Sequence, residues 1–110
     1  MNPRIVCLCG STKFKDKFVE ANMQETLAGR IVVTIGCDLK SDQELFAGLT
    51  PDELRDVKEG LDILHYCKID LADEILVLNV DGYIGDSTRR EILYAKAKGK
   101  TIRYWKTIGR

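Results

Sequence analysis

Residues 75–80, Ile-Leu-Val-Leu-Asn-Val, form a short apolar run rich in branched side chains, with Asp73 and Glu74 before it and Asp81 after it. A run of this length without polar alternation reads as a strand covered on both faces, the pattern of a parallel sheet's interior. The residues after it constrain the topology. Asp81-Gly82 and Gly85-Asp86 are turn chemistry. Asp86 or Ser87 is then placed to cap a helix, its side-chain oxygen accepting from an unpaired first-turn amide. That helix is expected to run to about Lys98, with Gly99 as its stop and Lys96, Lys98 and Lys100 at the negative end of its dipole. Strand, polar loop and helix start, in that order, is where open α/β sheets hold ligands.

The rest of the chain repeats the pattern. Residues 4–9 are a near-continuous apolar first strand, and Gly10-Ser11-Thr12-Lys13 opens a helix to about Leu27. Phe14, Phe18, Ala21 and Met23 supply its apolar stripe, and Gly29 ends it. Residues 31–35 read as the second strand. Residues 40–49 are polar with scattered apolar positions, a loop or short helix placed to serve as a lid. Thr50-Pro51-Asp52-Glu53 is a helix start with a capping Thr, Pro at the first position and Glu three after the cap. Leu54, Val57, Leu61 and Leu64 share one face of this helix, which runs to about Leu71. Residues 101–105 read as the last strand and 106–110 as a tail. Strands alternating with helices over 110 residues predict one α/β domain spanning 1–110, a parallel sheet with helices on both faces.

Charge narrows the function classes. Seventeen lysines and arginines balance seventeen acids, which argues against an electrostatic grip on nucleic acid or an anionic membrane. No apolar run approaches a bilayer span and no signal-peptide pattern is present, so the expected setting is cytoplasmic. Of the four cysteines, Cys7 and Cys9 would share one face of the first strand, while Cys37 and Cys67 stand singly. With a single His and no second close pair, the spacing argues against metal, and neither metal nor cofactor is expected. The thiols read as small buried hydrophobes. His65 reads as a packed or surface residue on the flank of its helix.

The candidate chemistry centres on Glu91. At helical spacing Thr88, Ile92 and Ala95 face the sheet and Glu91 lies on the edge of that stripe; Ser87, Glu91 and Tyr94 share a face. A carboxylate one turn into this helix points at the crevice; the plainer alternative is a solvated glutamate paired with a lysine. After the first strand, the amides of Gly10-Ser11-Thr12 and the two hydroxyls suit an anion. This is not a Walker loop, because the second glycine and the Gly-Lys-Ser/Thr order are missing, and a capped turn explains it equally well. Asp70 and Asp73 close the helix just before the third strand, where acids oppose the dipole, a placement that fits either a crevice role or a turn.

Asp86-Ser87-Thr88-Arg89-Arg90-Glu91-Ile92-Leu93-Tyr94-Ala95, followed by Gly99-Lys100, resembles the signature of the nucleoside 2-deoxyribosyltransferase superfamily, which includes the small nucleoside 5′-monophosphate N-glycosidases. Gly10-Ser11-x-x-Phe14 resembles that family's turn after the first strand, and Asp70 and Asp73 stand where its pre-strand aspartates lie. The resemblance implies a flavodoxin-like, deoxyribosyltransferase-like fold, with Glu91 as nucleophile, Asp70 as its assistant, and Tyr94 or Tyr83 orienting it. It also implies that Gly10, Ser11, Thr12, Phe14, Gly82, Tyr83, Asp86, Ser87 and Arg90 hold the substrate, with no metal, in a homo-oligomer of two or more chains. Arg89, Arg90, Leu93, Thr101 and Ser11 depart from the family pattern. Leu93 reads as filler between helix and sheet. The arginines either favour a phosphorylated substrate or pair at the surface with Asp86 and its neighbours. Two functions are compatible with these residues: cleavage or transfer at the N-glycosidic bond of a nucleoside or its 5′-monophosphate, and non-catalytic nucleotide binding or signalling on the same scaffold.

Overall fold

The computed structural model describes residues 2–35 and 46–105. Four strands, β1 (Ile5–Cys9), β2 (Ile31–Val33), β3 (Glu74–Val77) and β4 (Thr101–Tyr104), form one all-parallel sheet in the order β2-β1-β3-β4. Three helices connect them: α1 (Lys15–Leu27), α2 (Pro51–Leu71) and α3 (Asp86–Ala97). This is the α/β architecture expected from the sequence, consistent with a single-domain flavodoxin-like fold. Among the described residues no helix is long and apolar enough to cross a membrane.

The strand period of two divides the core. Val6 and Leu8 of β1, with Leu76 and Leu78 at β3, pack on Phe18 and Ala21 of α1. Cys7, Cys9, Ile75 and Val77 point the other way, onto Ile69 and Ala72 at the end of α2 and Ile92 and Ala95 of α3. Helices therefore cover both faces, and the central strands carry no polar alternation because neither face meets water.

Several local expectations are corrected. α1 begins only at Lys15; a 3-10 turn, Thr12–Phe14, precedes it, with the Ser11 hydroxyl accepting from the Lys13 amide at 3.3 Å. Phe14 so leaves the helical stripe, and Met23 is exposed. α3 is capped by Gly85 without a side-chain bond, so neither Asp86 nor Ser87 is the cap. Leu93 is 65% exposed and fills no gap between helix and sheet. The strands β2, β3 and β4 are shorter than expected, and most of the expected lid (40–45), the tail and Cys37 lie outside the described residues.

α2 carries the expected capping box: the Glu53 amide donates to Thr50 Oγ1 at 3.1 Å and the Thr50 amide to Glu53 Oε1 at 2.9 Å. Its apolar face does not enter the core along its whole length. Its 21 residues span about 31 Å, whereas a strand of four or five residues spans about 15 Å. The N-terminal half overhangs the sheet, leaving Val57, Leu61 and Leu64 part-exposed, while His65 and Ile69 are buried.

At the amino ends of the strands, Asp73 locks β1 to β3. Its amide donates to the Ile5 carbonyl at 2.8 Å and its carboxylate accepts from the Ile5 amide at 2.8 Å. Beside it the buried Glu74 carboxylate takes Arg4 Nε at 2.7 Å and Arg103 Nε, and Arg103 also reaches Glu25 on α1. Burial alone would raise the Glu74 pKa; the Arg103 and Arg4 guanidiniums outweigh it and hold the carboxyl below its ordinary value.

A carboxyl whose pKa is depressed on folding contributes stability that is complete above its unfolded value of about 4.3 and is lost as pH falls through the folded one. Glu74→Gln is expected to destabilise the domain by about 2–3 kcal/mol at pH 7, the lower end for a broken buried pair because its arginines reach solvent. Urea unfolding at pH 7 and pH 3 checks this. A deficit of equal size at both values would show that charge is not its origin.

Candidate active site

The chain leaves β1 towards β2 on one side and returns through α2 to β3 on the other, so the loops after Cys9 and Val77 diverge and open a crevice. A cavity of about 650 Å³ occupies it, within the usual range for small-molecule sites. One wall is Gly10, Ser11 and Thr12. A second is Leu61, Leu64, His65 and Lys68 of α2, and the third is Tyr83, Gly85, Asp86, Ser87, Arg90 and Glu91.

Two glycines shape this space. A Cβ at Gly10 would stand 3.1 Å from Leu78 Cβ, so glycine there lets the exits of β1 and β3 close together. A Cβ at Gly85 would stand 3.2 Å from the Tyr83 hydroxyl, so glycine leaves room for that ring at the cavity wall. The Lys13 ammonium lies 3.8 Å from the Tyr83 ring centroid, and Phe14 meets the same ring edge-on at 5.9 Å. Phe14 thus supports Tyr83 and does not itself line the cavity.

Glu91 lies one and a half turns into α3, with its side chain only 13% exposed. Burial pushes its pKa up to about 6; a negative charge at Cys7 acts in the same direction, and His65 opposes both. The position near the helix start suggests that the dipole favours the ionised form; desolvation is the larger effect here. The His65 ring meets Glu91 Oε1 at 3.7 Å and lies 3.4 Å from Cys9 Sγ and 3.7 Å from Cys7 Sγ, all at Nε2. Burial lowers the His65 pKa, but the Cys7 sulfur and the Glu91 carboxylate more than restore it, and it ends above its ordinary value. Cys7 is lowered to about 6 by the Cys9 thiol that donates to it, with His65 adding to the effect against burial. Cys9, the donor, is raised, by Cys7 first and by burial second. The donor atoms of Cys7, Cys9 and His65 all fall within 4.8 Å of one another.

Gly10, Ser11, Thr12, Tyr83, Asp86, Ser87, Arg90 and Glu91 are brought together as the sequence suggests. Arg90 donates to Ser87 Oγ at 3.2 Å. Gly82, at φ +78, serves the turn after β3 and stands back from the cavity. Asp70 and Tyr94 are not joined to it. The Tyr94 hydroxyl is shared between the two Asp70 carboxylate oxygens at 2.8 and 2.9 Å, and the Tyr94 ring packs on Tyr66 at 4.7 Å. Residues just before a strand sit at its amino end, whereas the cavity opens at the carboxyl ends; Tyr94, a turn beyond Glu91, has likewise passed the opening.

The residue that sequence reading undervalued is His65. Its signal was its spacing with Ile69 and Ala72, at i+4 and i+7, which puts it on the buried stripe at the end of α2. No family model matches the chain, and no curated protein matches it.

A carboxyl whose folded pKa lies above its unfolded one is a net cost once pH rises past the folded value. Glu91→Gln is therefore expected to stabilise the chelator-treated protein by about 2 kcal/mol at pH 7. The figure follows from a pKa raised from the ordinary carboxyl range to about 6, at about 1.4 kcal/mol for each tenfold change in proton affinity. Below pH 4 the two proteins should unfold at the same urea concentration. A variant no more stable than wild type at pH 7 would mean that Glu91 is not a desolvated charge.

Proposed function

We propose that this domain cleaves or transfers at the N-glycosidic bond of a nucleoside or nucleoside 5′-monophosphate, with Glu91 as the nucleophile. The observation that carries the reading is a single shielded carboxylate on the wall of a ligand-sized cavity, at the point where the strand connections reverse. A glycosidic bond to a base breaks through an oxocarbenium-like state at the anomeric carbon. A carboxylate facing that carbon stabilises the positive charge and traps it as an ester while the base departs, taking its proton from water. Water or an acceptor base then attacks the same carbon and frees Glu91, with net retention. The pKa near 6 leaves Glu91 mostly ionised at neutral pH, as attack by the carboxylate requires.

The remaining wall fits the rest of such a substrate. Ser11, Thr12 and Ser87 offer hydroxyls, and the first turn of α3, lacking a side-chain cap, offers amides beside them. Arg90, held by Ser87, and Lys68 place cations where a 5′-phosphate would lie. Leu61 and Leu64, half-exposed at the cavity's edge, mark the side that a second copy of the chain would close in a homo-oligomer.

The test is incubation of chelator-treated protein with a panel of nucleosides and their 5′-monophosphates, with free base followed by chromatography. At least one compound should release base. With that compound kcat/KM should climb as pH rises through about 6, and Glu91→Gln should lose activity by orders of magnitude while staying folded. An undiminished rate in Glu91→Gln would overturn the assignment. Tight nucleotide binding without any base release would instead make this a binding domain.

Phosphate recognition is separable. Arg90→Ala should raise KM for the monophosphate about tenfold, the equivalent of one charge-assisted hydrogen bond, and leave the free nucleoside nearly unaffected. Equal effects on both would remove Arg90 from phosphate binding.

A further inference from the structure

The glycosidic reading uses Glu91 and the cavity wall, and leaves unexplained why two thiols and an imidazole converge beneath it. We propose that Cys7, Cys9 and His65 form a binding site for a divalent metal ion of the zinc type at the floor of the cavity. This rests on the geometry of the three side chains and not on the glycosidic reading.

Cys7 and Cys9 alternate with Val6 and Leu8 along β1, so both sulfurs emerge on the α2 and α3 side of the sheet. α2 brings His65 Nε2 to 3.7 Å from one sulfur and 3.4 Å from the other. In a tetrahedral zinc site, with Zn–S of about 2.3 Å and Zn–N of about 2.0–2.1 Å, a sulfur and a nitrogen ligand stand about 3.6 Å apart. The two observed separations bracket that value, so an ion fits among the donors with small rotations of the side chains. Glu91 Oε1 lies 3.7 Å from Nε2 on the cavity side, so the fourth position opens towards the cavity.

The chemistry of the set agrees. Two thiolates and an imidazole are soft-to-borderline donors that select zinc over magnesium or calcium. Both cysteines are fully buried and His65 is 7% exposed, which keeps competing water away. His65 and Glu91 line the cavity, which supplies the route of entry. A dication balances the charge of the two thiolates, so the buried set is neutral when loaded. Cys67 is exposed on α2 and takes no part.

The experiment adds Co2+ alone to the reduced, chelator-treated full-length protein and records the visible and near-ultraviolet spectrum. Expected are tetrahedral ligand-field bands and a sulfur-to-cobalt charge-transfer band that saturate at one ion per chain and vanish when Zn2+ is added. Cys67→Ser should keep them; Cys9→Ser and His65→Ala should lose them, with far-ultraviolet circular dichroism checking that each variant is folded. A measurement on the wild-type protein guards against variants that fail to fold. Zinc-edge X-ray absorption of the stoichiometric Zn2+ complex should show two sulfur neighbours at about 2.3 Å. Absence of saturable Co2+ bands, bands undiminished in folded Cys9→Ser, or a zinc shell of oxygen and nitrogen alone would each overturn the site. None of these readouts involves turnover, so the site stands or falls separately from the reaction at Glu91.

Discussion

β1 and β3 are each bonded on both edges and covered on both faces, and their shared ladder, from Val6 beside Glu74 to Cys9 beside Val77, holds the other elements in place. Asp73 clasps one end of this ladder through both its amide and its carboxylate. At the other end the Leu78 amide donates to the Cys9 carbonyl and Gly10 packs against Leu78. Because side chains alternate along a strand, a slip of one residue in β1 would send Cys7 and Cys9 to the α1 side and bring Val6 and Leu8 under His65. The chemistry at the cavity floor is thus a property of register as much as of residue type.

Glu74 and Glu91 show how one residue type takes opposite characters in one small domain. Both are shielded from water. Glu74 meets guanidinium groups from β4 and from the segment before β1, which compensate its lost hydration and keep it charged. Around Glu91 the neighbours are instead an imidazole and buried sulfur, and loss of hydration raises its pKa. The first arrangement ties strands together at the amino end of the sheet. The second keeps a carboxylate near its proton-exchange point at the carboxyl end, on the wall of the cavity.

Much of the fold was legible because it rests on period and punctuation. The apolar runs became strands, three of them shorter than the runs, and the Thr50-Pro51-Asp52-Glu53 start and the stops at Gly29 and Gly99, both at positive φ, took the structure they suggested. The stripe of Thr88, Ile92 and Ala95 is buried as its spacing requires. What was not legible depends on lengths and ends. Nothing local at Val57, Leu61 and Leu64 tells how far α2 outruns the sheet, so a helix face that reads as core became cavity wall and overhang. Asp70 reads as a crevice residue from its place before the third strand and from the resemblance, and Tyr94 from sharing a helix face with Glu91, yet they meet each other away from it. His65 was discounted as a lone histidine. Its partners come from a strand more than fifty residues earlier, a distance over which spacing rules carry no information.

The cavity has walls of different character. Leu61 and Leu64, with Ile35 and Phe46, offer hydrocarbon, broken on α2 by Asp62, His65 and Lys68, whereas Ser87, Asp86, Arg90 and Glu91 offer charge and hydrogen bonds. A ligand with an apolar face and a polar flank would fit such a space best with that face on the leucines, since the reverse would set it against the ionised side chains of α3. A cavity so lined would read molecular sidedness before any particular functional group. Molecules that stayed bound in it would already present the same atoms to Glu91.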